Sequence, residues 1–242
     1  MGLAATIADS LLAVAFPREC RCCGDQVERK ADGVACETCW SGYRFFTGRE
    51  TACAKCGLFL GESESMFDAF CRKCDDHAYG IARSAGPYRG PAAAEMINLK
   101  TNPFLSSRMQ DAACIAFADS FRDRADLLVP VPLSRKRFVE RGYNQAAFIA
   151  EFLGRSSGFS VDEASLQRVI DTPHHRAGMD RKARDLSVRN AFKVVRPKLI
   201  AGKSIILIDD VLTSGSTASY CAKALMKSGA ARVDVFTLAR AA

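Results

Sequence analysis

The sequence predicts an α/β protein, a doubly wound parallel sheet joined to a small, metal-held N-terminal module. Three observations carry this expectation. Ile205-Ile206-Leu207-Ile208 is an uninterrupted aliphatic run, the pattern of a strand buried on both faces, as in a parallel sheet. It stops at Asp209-Asp210 and leads through Val211-Leu212 and the polar turn Thr213-Ser214-Gly215-Ser216-Thr217 into a helix. There Ala218, Cys221, Ala222 and Leu225 recur at helical spacing until Gly229 closes it. Finally, eight of the 11 cysteines fall in four Cys-x-x-Cys pairs, all in the N-terminal third.

A chain of 242 residues that is 48% hydrophobic can bury a full α/β core beside a small second module. The expected boundaries are 1–80 for an N-terminal helix and the cysteine module, and 81–242 for the sheet domain. Nowhere do 18 consecutive apolar residues occur, which predicts no membrane span. Residues 1–16 are apolar but lack a basic start, carry Asp9, and run into Pro17 and the cysteines. A short packing helix is expected there rather than a signal peptide, and a cytoplasmic protein follows. Charge is uneven: residues 1–80 hold 9 Lys+Arg against 12 Asp+Glu, a formal −3, and the remainder 25 against 15, or +10. Zinc-bound thiolates would make the N-terminal module more acidic still, which argues against it as an electrostatic clamp on nucleic acid.

In chain order, the pairs are Cys20/Cys23, Cys36/Cys39, Cys53/Cys56 and Cys71/Cys74, separated by 12, 13 and 14 residues. Two pairs supply one tetrahedral thiolate site, so the count fits two structural zinc ions, and a closed four-sulfur site leaves no position for catalysis. Gly24 and Gly57 follow two of the pairs, where the backbone must turn its amides toward sulfur. Redox-active Cys-x-x-Cys is the rival reading, but four evenly spaced copies with little apolar sequence between them suit metal-held ribbons. Pairing in sequence order is expected, although spacing alone leaves crossed pairing open. Cys22 and His77 are decoy ligands beside the pairs, and Cys114 and Cys221 fit apolar helix faces. The module is expected to fold only with its metal, the C-terminal core without it.

From Ile81 the composition is that of an ordinary globular domain. Pro91 to Lys100 reads as a helix with proline at its start, and Leu105 to Phe121 as a second, with Met109, Ala113, Ala116 and Phe117 on one face. Asp126 to Pro132 is a short strand stopped by Val-Pro-Val-Pro. A basic string, Arg135, Lys136, Arg137 and Arg141, follows, and Arg141-Gly142-Tyr143-Asn144-Gln145 opens a helix that continues through Phe152. Leu166 to Ile170 reads as a strand. Asp171 to Asn190 is long, polar and charged, with Arg181, Lys182, Arg184 and Arg189, and has the profile of a mobile lid. His174 and His175 within it fit an exposed loop better than acid/base or metal roles. Ala191 to Val195 and Arg232 to Leu238 are the remaining strands.

The polar turn points to a phosphate. Helix N-terminal amides lack intrahelical partners and carry the positive end of the dipole, so a turn that aims them inward is an anion site. Gly215 removes the Cβ that would block close approach, and Thr213, Ser214, Ser216 and Thr217 add hydroxyl donors. Asp209 and Asp210, one step earlier, suit a sugar cis-diol or a hydrated Mg²⁺. A ribose 5-phosphate needs both features, whereas an ordinary helix cap after a buried strand is the plainer alternative. Ile-Leu-Ile-Asp-Asp-Val-Leu-Thr-Ser-Gly-Ser-Thr resembles the phosphoribosyl-diphosphate (PRPP) motif of type I phosphoribosyltransferases.

Four Cys-x-x-Cys pairs, then Val-Pro-Val-Pro-Leu with Arg137 and Arg141-Gly-Tyr-Asn-Gln, then that motif, together resemble the ComF family of competence-associated proteins over nearly the whole chain. The resemblance implies a zinc-ribbon domain joined to a sheet of phosphoribosyltransferase type, Mg²⁺ bound with PRPP, and links to DNA uptake or use and to other competence proteins. It also places Arg137 and Arg141 near the diphosphate, with Asp209 and Asp210 as the catalytic carboxylates. The chain departs from the family pattern at His174-His175, where a Gln is usual, and at Ser187, where an Asn is. No nucleobase pocket is legible, so the acceptor stays open. The competing function is a non-catalytic factor that binds single-stranded DNA through the phosphate cradle and basic string.

Overall fold

The computed structural model describes residues 17–61, 69–122, 124–170 and 190–242. The expected helix in residues 1–16, and the segment 171–189 with His174, His175, Arg181, Lys182, Arg184, Ser187 and Arg189, lie outside the described residues.

The N-terminal module carries helix α1 (Glu37–Ser41) and a small antiparallel pair, β1 (Thr51–Ala52) with β2 (Phe59–Gly61). β3 (Ala82–Pro87) opens the main sheet and is followed by α2 (Gly90–Asn98) and α3 (Ser107–Phe121). Proline in the first turn of α2 starts that helix. Ser106 caps α3 by accepting the Met109 N–H at 3.2 Å. Then come β4 (Leu127–Pro130), α4 (Arg135–Arg141), α5 (Gln145–Ser157), β5 (Ser160–Val161), β6 (Leu166–Arg168), β7 (Phe192–Val194), α6 (Pro197–Ile200), β8 (Ser204–Leu212), α7 (Ser216–Lys227) and β9 (Arg232–Arg240).

The five strands of the main sheet are parallel in the order β3-β9-β8-β4-β5. Period-two alternation sends Ile206 and Ile208 of β8 to one face, into a core with Met109 and Phe117 of α3 and Ile149 and Leu153 of α5. Ile205 and Leu207 point to the other face, against Cys221, Ala222 and Leu225 of α7. Helices on both faces make the sheet doubly wound. Each fully buried aliphatic side chain of β8 contributes about 1.5 to 3 kcal/mol. β6 and β7 pair antiparallel with each other, as a separate hairpin rather than in the main sheet.

The two ribbons join these cores from opposite sides. Cys20, Val27, Cys36 and Trp40 belong to the first core, and Cys53, Cys56, Leu58 and Cys74 to the second. The Phe46 N–H donates to the Ala85 carbonyl at 2.9 Å and the Ala82 N–H to the Lys55 carbonyl at 2.7 Å. Buried Asp32 accepts from Arg29 Nε at 3.0 Å and from Arg108 Nε of α3 at 3.1 Å, while the Trp40 indole donates to its carbonyl at 2.9 Å. Short chain segments with little apolar sequence thus bury what they have by sharing a larger core. Among the described residues no helix is long and apolar enough to cross a membrane.

Candidate functional site

β4→β5 runs one way across the sheet through α5, and β8→β9 runs the other way through α7. The strand order reverses between β4 and β8, and the crevice beyond the carboxyl ends at such a switch point is where open α/β sheets hold ligands. Asp209, Asp210 and the hydroxyl loop lie there.

The end of β8 is longer than its aliphatic run. The strand continues through Asp209-Asp210 to Leu212 because β9 accompanies it as far as Arg240. β4 stops at Pro130, whose partner is Ile208, with one further bond from the Val131 N–H to the Ile208 carbonyl at 2.9 Å. Asp209 to Leu212 thus overhang the crevice with their β4 side unladdered. Asp209 Oδ1 accepts the Asp210 N–H at 2.9 Å, and Asp210 Oδ1 accepts the Val211 N–H at 2.8 Å. Burial, and then the neighbouring Asp210 carboxylate, push the Asp209 carboxyl well above the ordinary range.

The loop departs from an ordinary helix cap. Gly215 is the N-cap residue of α7 in the left-handed conformation, φ +80°, and has no side chain with which to cap the helix. Ser214 Oγ, one residue earlier, accepts the Ser216 N–H at 3.4 Å and donates to Ser216 Oγ at 3.1 Å, while Thr213 is exposed and Thr217 is half-buried.

The basic string forms α4, and Arg141 closes that helix rather than opening the next one. Gly142, at φ +78°, ends α4, and Asn144 starts α5 by accepting the Ala146 N–H at 3.1 Å. Asn144 Nδ2 donates to the Val131 carbonyl at 3.1 Å, tying α5 to the end of β4, and the Tyr143 hydroxyl donates to the Leu99 carbonyl. Arg137 and Arg141 are half-buried, and Arg135 and Lys136 exposed. Arg141 Nη1 is buried with no hydrogen-bond partner among the described residues, an arrangement that suits an anion. Tyr143 lies in the field of both Arg141 and Asp210, and burial is the main cause of its raised pKa.

The thiols group in sequence order: Cys20, Cys23, Cys36 and Cys39 in one cluster, Cys53, Cys56, Cys71 and Cys74 in the other, with all four sulfurs of each within 4.8 Å of one another. Sulfur separations include 3.7 Å for Cys20–Cys39, 3.6 Å for Cys53–Cys74 and 3.5 Å for Cys56–Cys71. Tetrahedral zinc with bonds of about 2.3 Å requires about 3.8 Å, so both donor sets fit zinc. Gly24 and Gly57 turn at positive φ as the knuckles require. Burial opposes ionisation of Cys53, but the Cys56 and Cys71 amides outweigh it and hold that thiol at about 6, ready for a metal. Cys22 and His77 stand outside both clusters, Cys221 is buried, and Cys114 is half-buried.

Three neighbours of the loop had no sequence signal. His77 and Tyr79, from the end of the second ribbon, pack against Gly215, and Arg240, at the end of β9, reaches the loop's carbonyls. Nothing in local spacing marks them, because the sheet brings them there.

Residues 11–78 match the double zinc ribbon domain family. The chain is 35% identical over 117 residues, 48% of its length, to the DNA utilization protein YhgH of Salmonella typhi. That match spans about half (49%) of the length of the relative. It is 28% identical over 231 residues to the competence protein ComFC of Bacillus subtilis, covering 87% of this chain and 86% of that one. Among solved structures, the glutamine PRPP amidotransferase of B. subtilis matches at 17% identity and TM-score 0.34, over 74% of this chain and 33% of that one. A purine phosphoribosyltransferase of Pyrococcus horikoshii matches at 14% identity and TM-score 0.31, over 56% and 85%.

Proposed function

From the premise that this chain is a double-zinc-ribbon homologue of ComFC, competence protein F and YhgH, we propose that its switch-point crevice binds Mg-PRPP or a related ribose 5-phosphate in the service of DNA uptake or use. The observation that carries this reading is the overhang of β8. It sets two carboxylates and a hydroxyl-rich helix N-terminus, with glycine at its cap position, together at the carboxyl end of the sheet. In this reading the amides and hydroxyls of Thr213 to Thr217 take the 5-phosphate. Asp209 and Asp210 accept the ribose hydroxyls and hold the hydrated Mg²⁺, and Arg137 and Arg141 meet the diphosphate. Mg²⁺ supplies charge neutralisation of a leaving diphosphate. The chain's own residues fix the ribose so that displacement at C1 proceeds with little reorganisation. The two zinc sites are structural, the setting is the cytoplasm, and other competence proteins are the expected partners.

A second reading rests on α4. None of its residues is buried, Phe138 is 50% and Val139 75% exposed, and they sit among Arg135, Lys136, Arg137 and Arg141. An exposed ring beside cations suits single-stranded DNA, by stacking and phosphate contact. Calorimetry with PRPP and Mg²⁺, beside single-stranded DNA binding at two salt concentrations, separates the readings. Mg²⁺-dependent PRPP binding supports the first, and DNA binding with a steep salt slope in the absence of any PRPP heat supports the second.

A further inference from the structure

We infer that the second zinc ribbon is a working part of the hydroxyl loop: Arg240 and His77 hold the loop from the ribbon side, so that occupancy of the Cys53/Cys56/Cys71/Cys74 site sets its competence for a phosphate. The inference rests on the ribose-phosphate reading of that loop.

Arg240 is 7% exposed. Its Nη1 donates to the carbonyls of Leu212 at 2.8 Å and Thr213 at 2.7 Å, and also to Ala241. Its Nε donates to the Cys56 carbonyl at 3.2 Å, and Nη2 lies 3.9 Å from Cys56 Sγ. One guanidinium therefore joins the start of the loop to a zinc ligand. In a planar trans peptide the N–H points opposite to the C=O. Fixing the Thr213 carbonyl toward Arg240 accordingly fixes the Ser214 N–H on the far side, as part of an anion cradle.

The ribbon also touches the loop's centre. A Cβ on Gly215 would come within 2.6 Å of His77 Cε1 and 2.9 Å of the Tyr79 hydroxyl. His77 Nδ1 and that hydroxyl are 2.7 Å apart. The His77 N–H donates to the carbonyl of the zinc ligand Cys74 at 3.1 Å, and Lys55 Nζ donates to the His77 carbonyl at 2.9 Å. The Ala78 N–H donates to Ser219 Oγ of α7 at 3.0 Å. Beside this contact a cavity of about 420 Å³ is lined by ribbon and loop together, among others by Cys56, Lys73, His77, Thr213 and Ser214. The first ribbon hydrogen-bonds instead to β3 and α3, through Phe46, Tyr43 and Asp32. Tetrahedral coordination fixes the Cys56 and Cys74 backbone, and a vacant site would release both anchors together.

The test uses the full chain with three variants: Cys71→Ser/Cys74→Ser at the second site, Cys36→Ser/Cys39→Ser at the first, and Arg240→Lys. Zinc content, amide hydrogen exchange at Leu212 to Thr217, and PRPP binding with Mg²⁺ are measured for each. The second-site variant should lose one zinc, with loop exchange faster and PRPP binding weaker by about tenfold or more, the scale of one lost charged hydrogen bond. Arg240→Lys should keep both zincs and show the same two losses, while the first-site variant loses a zinc and keeps parental loop exchange. Parental loop exchange in Arg240→Lys, or equal loosening by loss of either zinc, overturns the inference. If the second-site variant does not fold, Arg240→Lys and His77→Ala with both zincs retained decide the question. If the parent gives no PRPP binding, the ribose-phosphate reading fails while the exchange data still decide the coupling.

Discussion

At the scale of single residues, Asp209 and Asp210 carry the proposed chemistry, because paired carboxylates can take both ribose hydroxyls and hold hydrated Mg²⁺. Replacing both by Asn keeps shape and loop geometry, and should abolish PRPP binding with little change in Tm; parental affinity and Mg²⁺ dependence in that variant would defeat the assignment. Asp209 holds its proton more tightly than an ordinary carboxyl. Mg²⁺-dependent binding should therefore release a proton and strengthen as pH rises, read as a buffer-dependent calorimetric heat. Glu95 gives a stability counterpart. It is 1% exposed, accepts the Ser106 N–H at 3.0 Å, and burial raises it from 4.5 to about 7. Between those values the folded chain binds a proton that the unfolded chain has lost, so this group's contribution falls as pH rises from about 4.5 to about 7, by on the order of 3 kcal/mol. Glu95→Gln should flatten the Tm-against-pH profile across that window.

At the scale of elements, the hydroxyl loop and α4 separate the two readings. Thr217→Val removes one hydroxyl and leaves the backbone cradle, so PRPP binding should weaken by about 1 to 2 kcal/mol rather than vanish. α4 exposes Arg135, Lys136 and Phe138, with Arg137 and Arg141 half-buried beside them. Neutralising Arg135, Lys136 and Arg137 together should lower single-stranded DNA affinity and flatten its salt dependence, since each phosphate contact releases counterions. A larger loss from charge changes in the ribbons would relocate the nucleic-acid surface.

At the scale of the whole molecule, the ribbons and the sheet form one packed body through shared cores. Chelation should release close to two zinc ions per chain, as elemental analysis would show. Because Cys36, Trp40, Cys53 and Cys74 are core members, the loss should also lower protection in β3 and β9, beyond the ribbons themselves. Hydrogen exchange confined to residues before Ile81 would instead show two independently stable units.

The sequence by itself determined the features that are local or periodic. Four Cys-x-x-Cys pairs specify two metal sites, because ligand spacing along a chain limits which sulfurs can meet. The run Ile205 to Ile208 points to a strand covered on both faces, because a short β-branched and aliphatic run bounded by polar turn residues suits a doubly buried strand better than a helix. Asp209 through Thr217 announce a strand, turn and helix by composition alone. Tertiary structure decided what depends on partners distant in sequence. β8 outlasts its aliphatic run since β9 supplies ladder partners up to Arg240 and β4 does not. The basic string becomes a helix once Ser134 caps its start and Gly142 turns its end. The ribbons bury their apolar residues in the cores on either face of the sheet, and Arg240 and His77 meet the loop only after β9 and a zinc knuckle have been packed against it. Hydrophobic burial and backbone hydrogen bonding are satisfied by whichever segments the fold brings together, and that choice is not written in any one stretch of the chain.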